Sequence, residues 1–490
     1  MKKTHFVIVL VLLLSGILFA QEKPVFEDYF VDKTMRVDYF RIGDAKEETV
    51  TIDQVYEQGI WAGSKHNLID SLNYGRYCIK IYDASSGKLI FSKGFDSYFG
   101  EYKTTGKALK GIKRSYHESF LLPYPKRTIQ FSFEARGRKN VLHSLFKQEI
   151  NPSSVDILKE RLDDDVMVFE LWKGGDPHVK VDLAFIAEGY TREEEPKLKA
   201  DLQRFMEVFF KQEPYKSLKN EFNLYGVFKP SQESGCDEPR HGVFKNTVVN
   251  ATFNSLGSER YLLTEDNKSL RDIAAHVPYD TLVIMVNQDR YGGGGIYNLF
   301  CTFTVDNQWH EYLFVHEFGH SFSGLADEYY TSSVAYNEFY PQGIEPMEPN
   351  ITALLDPQNL KWNKFITPGI AIPTPWEKEE FDRMDNEYQK IRHQINEKIA
   401  QMKREGAPKE EIQKAEAESE RLSKHHADKM DAYLEQSAFP GKIGAFEGAG
   451  YSSQGLYRPM LDCLMFSKGA KPYCLVCEQA IIRVIKQYTQ

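Results

Sequence analysis

The segment HEFGHSFSGLADEYY, residues 316–330, carries the strongest structural signal in the chain. It follows the largely apolar run of residues 311–315, which predicts a buried helix, and Gly324 supplies a place for that helix to end. His316 and His320 are four positions apart, so both imidazoles lie on one face of the helix and can reach a single cation about 2.0–2.1 Å away. The alternative is a helix whose two histidines match this short pattern by chance.

Two carboxylates complete the pattern of a zinc hydrolase site, one as a base and one as the third ligand. Glu317 projects beside the imidazoles, where it can take a proton from water at the metal and later pass it to a leaving amine. Because the chain turns at Gly324, a residue after the helix can approach the metal from another side. Asp327 is the favoured third ligand and Glu328 is its competitor, since either carboxylate would leave the open position of a catalytic zinc site.

The first twenty residues predict a secretory signal peptide with cleavage near Ala20. Lys2 and Lys3 precede an apolar run over residues 6–14. We therefore expect export to the periplasm or to the outside of the cell. No other apolar run approaches the roughly 18 residues of a membrane span. Cleavage of the signal peptide would remove both lysines and no acidic residue, so the formal charge would change from −9 to −11. This acidity argues against nucleic acid as a partner.

The chain's 490 residues, 42% of them hydrophobic, are enough for two or three domains with real cores. In residues 77–92 and in residues 128–146, a stretch of alternating apolar and polar residues is followed by a turn sequence and then by a second strand-like stretch. This is the pattern of β-hairpins. We predict an N-terminal β-sandwich domain over residues 24–155, and nothing in it suggests catalysis.

A second domain is expected over residues 160–490. Its first strand, residues 181–187, is apolar on both faces, as a doubly buried strand requires. Thr191 and Glu194 form a capping-box pattern that opens a helix running to about Phe210. Further strands are expected at residues 221–228 and 281–286. This order predicts an α/β sheet with the metal helix packed behind it, and the whole chain is therefore α+β and multi-domain.

Two further segments each allow two interpretations. Tyr291 and the four glycines after it predict either an edge strand that pairs with an extended substrate or a flexible loop. Residues 376–436 carry apolar residues at spacings of three and four on both sides of a Gly-Ala-Pro break, which predicts an inserted helical hairpin. The hairpin either engages large substrates or is a solvated structural excursion, and His425 and His426 within it are expected to be exposed.

The six cysteines include three near the C-terminus: Cys463, Cys474 and Cys477. In an exported chain disulfide bonding is the favoured interpretation. The alternative is that Cys474 and Cys477 are half of a structural zinc site. The pairing cannot be deduced from the sequence.

The segment YRPMLDCLM, residues 457–465, provides the last candidates. Met465, or less favourably Met460, could form a hydrophobic floor under the metal, although a methionine in an apolar run is more often ordinary core. Tyr457 and Arg458 are candidate donors to an oxyanion.

The chain resembles the IgA metallopeptidase family, metallopeptidase family 64. The resemblance is carried by the motif at residues 316–328, by Gly189-Tyr190-Thr191, by the four glycines and by the C-terminal motifs. The resemblance covers roughly residues 160–490 and implies a metzincin-like fold, one catalytic zinc and secreted endopeptidase activity. It places the ligand roles on His316, His320 and Asp327 and the base role on Glu317. Relative to the usual metzincin pattern, the glycine and the third ligand each come one residue later.

We therefore expect a secreted zinc endopeptidase that binds one Zn²⁺ per chain and acts on proteins or peptides. One alternative is a non-catalytic exported binding protein with a structural or vestigial metal site. Another is a zinc amidase acting on cell-wall peptides. The sequence leaves the oligomeric state open.

Overall fold

The computed structural model describes residues 23–137, 139–331 and 340–490. The predicted signal peptide, residues 1–20, lies outside the described residues. The chain is mixed α/β with several sheets and an N-terminal domain, in agreement with the sequence analysis.

Two four-stranded sheets make up the N-terminal region. Its elements are α1 (Phe26–Tyr29), β1 (Phe30–Gly43), β2 (Glu48–Glu57), β3 (Tyr77–Asp83), β4 (Leu89–Phe95), α2 (Tyr98–Tyr102), α3 (Gly106–Leu109), β5 (Arg114–Pro125), β6 (Ile129–Arg136), β7 (Leu142–Ile150) and β8 (Leu158–Lys159). The strand orders are β5-β1-β2-β8 and β4-β3-β6-β7. Apolar side chains of both sheets, including Val37, Phe120, Ile79 and Phe131, pack into one core.

A six-stranded sheet lies at the centre of the second half of the chain. The elements up to the metal-motif helix are β9 (Met167–Lys173), β10 (Val181–Glu188), α4 (Glu195–Lys211), β11 (Phe222–Phe228), α5 (Asn267–Ala274), β12 (Thr281–Val286), β13 (Gly293–Ile296), β14 (Phe300–Thr304) and α6 (His310–Ser323). The strand order is β13-β14-β12-β10-β11-β9. The four central strands are parallel, and β13 and β9 pair antiparallel at the two edges.

Strand β10 is buried on both faces, which confirms the prediction from its apolar run. Leu183 and Phe185 pack into the core formed with α4 and α6, whereas Ala184 and Ile186 pack into the core on the other face. Successive side chains of a strand point to opposite faces, so the middle of a strand in a sheet covered on both sides carries apolar residues that point both ways.

The capping box after β10 is also confirmed. The side chain of Glu194 accepts a hydrogen bond from the backbone N–H of Thr191 at 2.9 Å, and the Thr191 side chain caps the third residue in return. A short 3₁₀ turn then leads into α4, whose apolar face includes Leu202 and Phe205.

The remaining elements are α7 (Lys378–Arg404), α8 (Lys409–Glu435), β15 (Ile443–Ala449), β16 (Ser452–Met460) and α9 (Leu475–Thr489). Helices α7 and α8 occupy the segment of the predicted hairpin and lie antiparallel. His426 of α8 is not exposed as expected: its Nε2 lies 2.7 Å from Asp385 Oδ1, and its ring stacks on Tyr388 of α7. His425 is exposed. Within the described residues, no helix combines the length and apolar character needed to cross a bilayer.

Three of the four glycines, Gly293 to Gly295, lie in edge strand β13 rather than in a loop. Its glycines are required by the close approach of α6: a Cβ on Gly295 would lie 2.3 Å from the carbonyl oxygen of Glu317, and one on Gly293 would lie 3.0 Å from Glu317 Cγ. On the other face, a Cβ on Gly294 would lie 2.4 Å from the ring of Tyr261. The absence of side chains therefore lets the metal-motif helix pack directly against the sheet edge.

We predict that Gly295→Ala destabilises the protein by about 1–3 kcal/mol, because the added methyl group meets backbone that can yield only by moving α6 away from β13. Gly59→Ala is the matched control, since a Cβ at Gly59 meets nothing within 4 Å. Urea unfolding of both variants measures the difference. Equal free energies of unfolding would show that the helix does not depend on this contact.

Candidate metal centre

The two motif histidines and Asp327 converge at one point. His316 and His320 occupy successive turns of α6, and their Nε2 atoms are 3.2 Å apart. The helix ends at Gly324, whose left-handed φ of 61° turns the chain back. Asp327 Oδ1 then lies 3.0 Å from Nε2 of His316 and 3.2 Å from Nε2 of His320.

Backbone carbonyls orient both imidazoles. His316 donates through Nδ1 to the carbonyl of Leu464 at 3.2 Å, and His320 donates through Nδ1 to the carbonyl of Leu325 at 2.6 Å. A carbonyl can only accept, so in each neutral ring the Nε2 lone pair faces the meeting point. The two lone pairs and the carboxylate oxygen repel one another unless positive charge lies between them.

The pKa shifts of His320 and Asp327 indicate the same need for positive charge. Burial lowers the pKa of His320, but the Asp327 carboxylate raises it to about 9. Burial raises the pKa of Asp327, but the two imidazoles hold it well below its usual range. A proton on His320 can supply the missing charge, and a divalent cation can supply more of it.

The spacing of the three atoms fits a metal ion. Ligands about 2.0–2.1 Å from a tetrahedral ion lie about 3.3 Å from one another. The distances of 3.0–3.2 Å among His316, His320 and Asp327 are close to this value. The donor set of two imidazoles and one carboxylate also suits a catalytic zinc, which keeps a fourth position open.

Glu317 lies next to this centre, on the side of α6 that faces strand β13. It lines the pocket together with both histidines, and its carboxylate is within 4.8 Å of the ligating atoms of the two imidazoles. Burial raises the pKa of Glu317, although the neighbouring imidazoles partly oppose this effect.

Glu328 lies away from the two imidazoles, although it directly follows Asp327. It is fully buried, its Oε1 accepts hydrogen bonds from Asn350 at 3.0 Å and from the Cys477 thiol at 3.2 Å, and its backbone N–H donates to the carbonyl of Met465. Of the two carboxylates that the sequence left open, the structure brings Asp327 to the histidines.

Met465 lies beneath the metal-motif helix. It is fully buried, and a Cβ on Gly319 would lie 3.1 Å from its sulfur. Met465 therefore packs against the helix that carries the histidines, and its role as a hydrophobic floor under the metal stays a prediction.

Tyr457 is not brought into the pocket, contrary to the sequence prediction. It lies on β16, pairs with Thr352, and interacts with Glu447. Arg458 is fully buried and donates to the backbone carbonyls of Gly448 and Leu461, so it does not reach the site either.

Tyr451, which the sequence analysis missed, occupies the position expected of Tyr457. Its hydroxyl contacts Asp327 Oδ2, and it lines the pocket together with Arg260 and Tyr329. Arg260 donates to the Tyr329 hydroxyl at 3.0 Å. No local pattern distinguishes Tyr451 in the sequence, because its role depends on the path of the β15–β16 turn.

The N-terminal region also lines this pocket. Arg76, Asp96, Ser97 and Glu101 come from it, although the sequence suggested no role for that region in catalysis. The two halves of the chain are joined by polar contacts, among them Arg36 to Asp272 at 2.6 Å. The pocket is therefore built by both halves.

The cysteines are not disulfide-bonded, contrary to the favoured interpretation of the sequence. All six are free and buried. Cys463, Cys474 and Cys477 lie together beside Glu328, behind the helix that carries the histidines.

Comparison with known families finds two matches. A family model described as IgA Peptidase M64 matches residues 169–485, more than half of the chain and including the histidine motif and Asp327. A second, described as Peptidase M64 N-terminus, matches residues 25–147. No curated protein matches the chain.

We predict that Asp327→Ala lowers the metal content by about one ion per chain, because two imidazoles alone leave the ion without its third protein ligand. Asp356→Ala, which removes an exposed carboxylate, is the control. Elemental analysis of both purified variants and the wild type measures the effect. An unchanged metal content in Asp327→Ala would contradict the assignment of this ligand.

Proposed function

The chain belongs to the IgA peptidase M64 family, and we propose on this premise that it is a secreted, zinc-dependent endopeptidase. Peptidases of this family are metallopeptidases, so the chain is a peptidase with protein substrates. The observation that carries the zinc proposal is the convergence of His316, His320 and Asp327 at distances suited to a tetrahedral ion.

A bound zinc ion would lower the pKa of a water molecule and polarise the scissile carbonyl. In the proposed mechanism Glu317 accepts the proton of the attacking water and delivers it to the leaving amine. Two features support this role. Glu317 is the carboxylate beside the imidazoles that is not needed as a ligand, and burial raises its pKa towards the range in which a group both accepts and donates protons near neutrality.

We assign stabilisation of the oxyanion to donors on the pocket wall. The Tyr451 hydroxyl contacts Asp327, so it lies close to the point where the carbonyl would bind. Arg260 adds a half-buried positive charge next to Tyr329. Hydrogen-bond donors held in place before the reaction stabilise developing negative charge without reorganisation.

The substrate is proposed to lie in the pocket between α6, strand β13 and the N-terminal region. Part of the free edge of β13 is already occupied, because the backbone N–H of Leu262 donates to the carbonyl of Gly293 at 3.2 Å. Pairing between a substrate strand and this edge is therefore restricted to the residues after Gly293.

For the domains, we propose a signal peptide at residues 1–20, a β-sandwich at 24–155 and a metzincin-like zinc-peptidase domain at 160–490 with the helical hairpin 376–436 inserted. The shared core of the two N-terminal sheets supports the sandwich. The helix, the turn at Gly324 and the floor at Met465 support the metzincin-like arrangement. Export to the periplasm or beyond the cell rests on the sequence of residues 1–20.

We expect Glu317→Gln to retain the metal while turnover falls by a factor of about 100 or more, since the amide preserves the shape of the side chain but cannot accept the proton. The control is Glu311→Gln on the same helix, where the side chain is exposed and pairs with Lys211. Digestion of a mixed-protein substrate is measured beside metal content. Substantial activity in Glu317→Gln would refute the base assignment.

The same assays on the wild type separate the alternative functions. If the wild type bound zinc and released only cell-wall peptides, the amidase alternative would replace the endopeptidase. Zinc binding without hydrolysis of either substrate would favour the binding-protein alternative.

The two tyrosines give a second test. Tyr451→Phe should lower kcat by about 10- to 100-fold with metal retained, because one donor near the oxyanion is lost. Tyr457→Phe should leave kcat near the wild-type value, since its hydroxyl lies outside the pocket. The reverse pattern in steady-state kinetics would restore Tyr457 to the role that the sequence suggested.

A further inference from the structure

A second group of potential metal ligands lies behind the metal-motif helix. Glu328, Cys463, Cys474 and Cys477 each offer one ligand atom, and these four atoms all lie within 4.8 Å of one another. All four side chains are buried, and Glu328 and Cys477 are fully inaccessible. The proposed peptidase mechanism does not use any of them.

Three separate parts of the chain meet in this cluster. Glu328 follows the turn after α6, Cys463 follows β16, and Cys474 and Cys477 lie at the start of α9. Cys474 caps the helix, and Cys477 in the first turn donates its backbone N–H to the Cys474 sulfur at 3.5 Å. The backbone N–H of Cys474 donates to the Cys463 sulfur at 3.2 Å. Backbone donors and a helix N-terminus both favour thiolates, the form in which cysteine binds metals.

The carboxylate of Glu328 gives a second, independent indication. Its Oε1 accepts from Asn350 and from Cys477, but its Oε2 has no hydrogen-bond partner in the part of the chain that the structure describes. A buried carboxylate oxygen without a partner is costly, and such atoms are rare in native proteins. A cation in the centre of the cluster would remove that cost.

We propose that Cys463, Cys474, Cys477 and Glu328 bind a structural zinc ion, distinct from the catalytic site. Four protein ligands with no open position are the hallmark of a structural rather than a catalytic zinc. Sulfur atoms about 2.3 Å from a tetrahedral zinc lie about 3.8 Å apart. The sulfurs of Cys463 and Cys477 are 3.9 Å apart, nearly twice a disulfide bond length of about 2.05 Å.

A disulfide accounts for the cluster less completely. With three thiols present, one disulfide would leave the third cysteine free and the Glu328 oxygen still unpaired. A zinc ion engages all four groups. Part of the excess negative charge of four anionic ligands is offset by Arg458, which is fully buried and interacts electrostatically with Glu328.

This ion would hold the catalytic centre in place from behind. Glu328 directly follows the ligand Asp327, and Cys463 directly precedes Leu464, whose carbonyl orients His316. Met465, the next residue, accepts the backbone N–H of Glu328 at 2.9 Å. The four ligands therefore clamp the segments that supply a catalytic ligand, an orienting carbonyl and the floor of the site.

Zinc content of the full chain tests the proposal. We expect about two zinc ions per wild-type chain, about one in Cys477→Ser and about one in His320→Ala. Cys78→Ser, which alters a buried cysteine on β3 outside the cluster, should retain about two. A single ion that Cys477→Ser does not remove would overturn this site. A single ion that His320→Ala does not remove would instead overturn the catalytic site and leave this one standing.

Cobalt substitution identifies the ligands without a cysteine variant, so it remains decisive if Cys477→Ser fails to fold. We expect His320→Ala loaded with Co²⁺ to show the strong near-ultraviolet absorption of thiolate-to-cobalt charge transfer, and its absence would overturn the proposal. Thiols titrated in denaturant with chelator should number six, as many as the chain has cysteines. A count two lower, with the missing thiols mapped to Cys463, Cys474 or Cys477, would indicate a disulfide within the cluster and likewise overturn the zinc site.

Discussion

Three electron-rich atoms, Nε2 of His316, Nε2 of His320 and Oδ1 of Asp327, meet within 3.2 Å of one another, and the surrounding structure holds them there. In a buried site their mutual repulsion is far stronger than it would be in water. Only a positive charge at their centre makes the arrangement favourable. The carbonyls of Leu464 and Leu325 strengthen this requirement, because they fix both imidazoles with their lone pairs inward.

The same site also depends on the close approach of α6 to the edge of the sheet. Glu317 can stand beside the imidazoles and face the pocket only because β13 presents no side chains to the helix. From behind, Met465 fills the space under Gly319. The helix is therefore held between a bare strand edge and a buried floor, and its position leaves little room for adjustment.

Much of the architecture was predictable from local patterns. The burial of β10, the capping box at Thr191 and Glu194, and the spacing of the two histidines each depend on residues within one turn or one strand. Other predictions failed because they concerned partners far apart in the chain. Tyr457 and Tyr451 are six residues apart, and only the pairing of β15 with β16 decides which one contacts Asp327. His426 is covered by Tyr388 and Asp385 of the other helix, which its own surroundings in the sequence do not reveal.

By itself the sequence determined the candidate metal-binding chemistry, because helical geometry is local: imidazoles four residues apart on a helix share a face and can reach one cation. The carboxylate next in the chain projects beside that face. It left open how Asp327 and Glu328 divide their roles, what the C-terminal cysteines bind, and whether the N-terminal region reaches the pocket. Tertiary structure decided where these groups lie. It sends two adjacent carboxylates to different partners, gathers three cysteines around Glu328, and places Arg76 and Glu101 on the pocket wall. The gathering of the cysteines at Glu328 and the position of the N-terminal residues depend on packing between segments separated by more than a hundred residues, which no local spacing encodes.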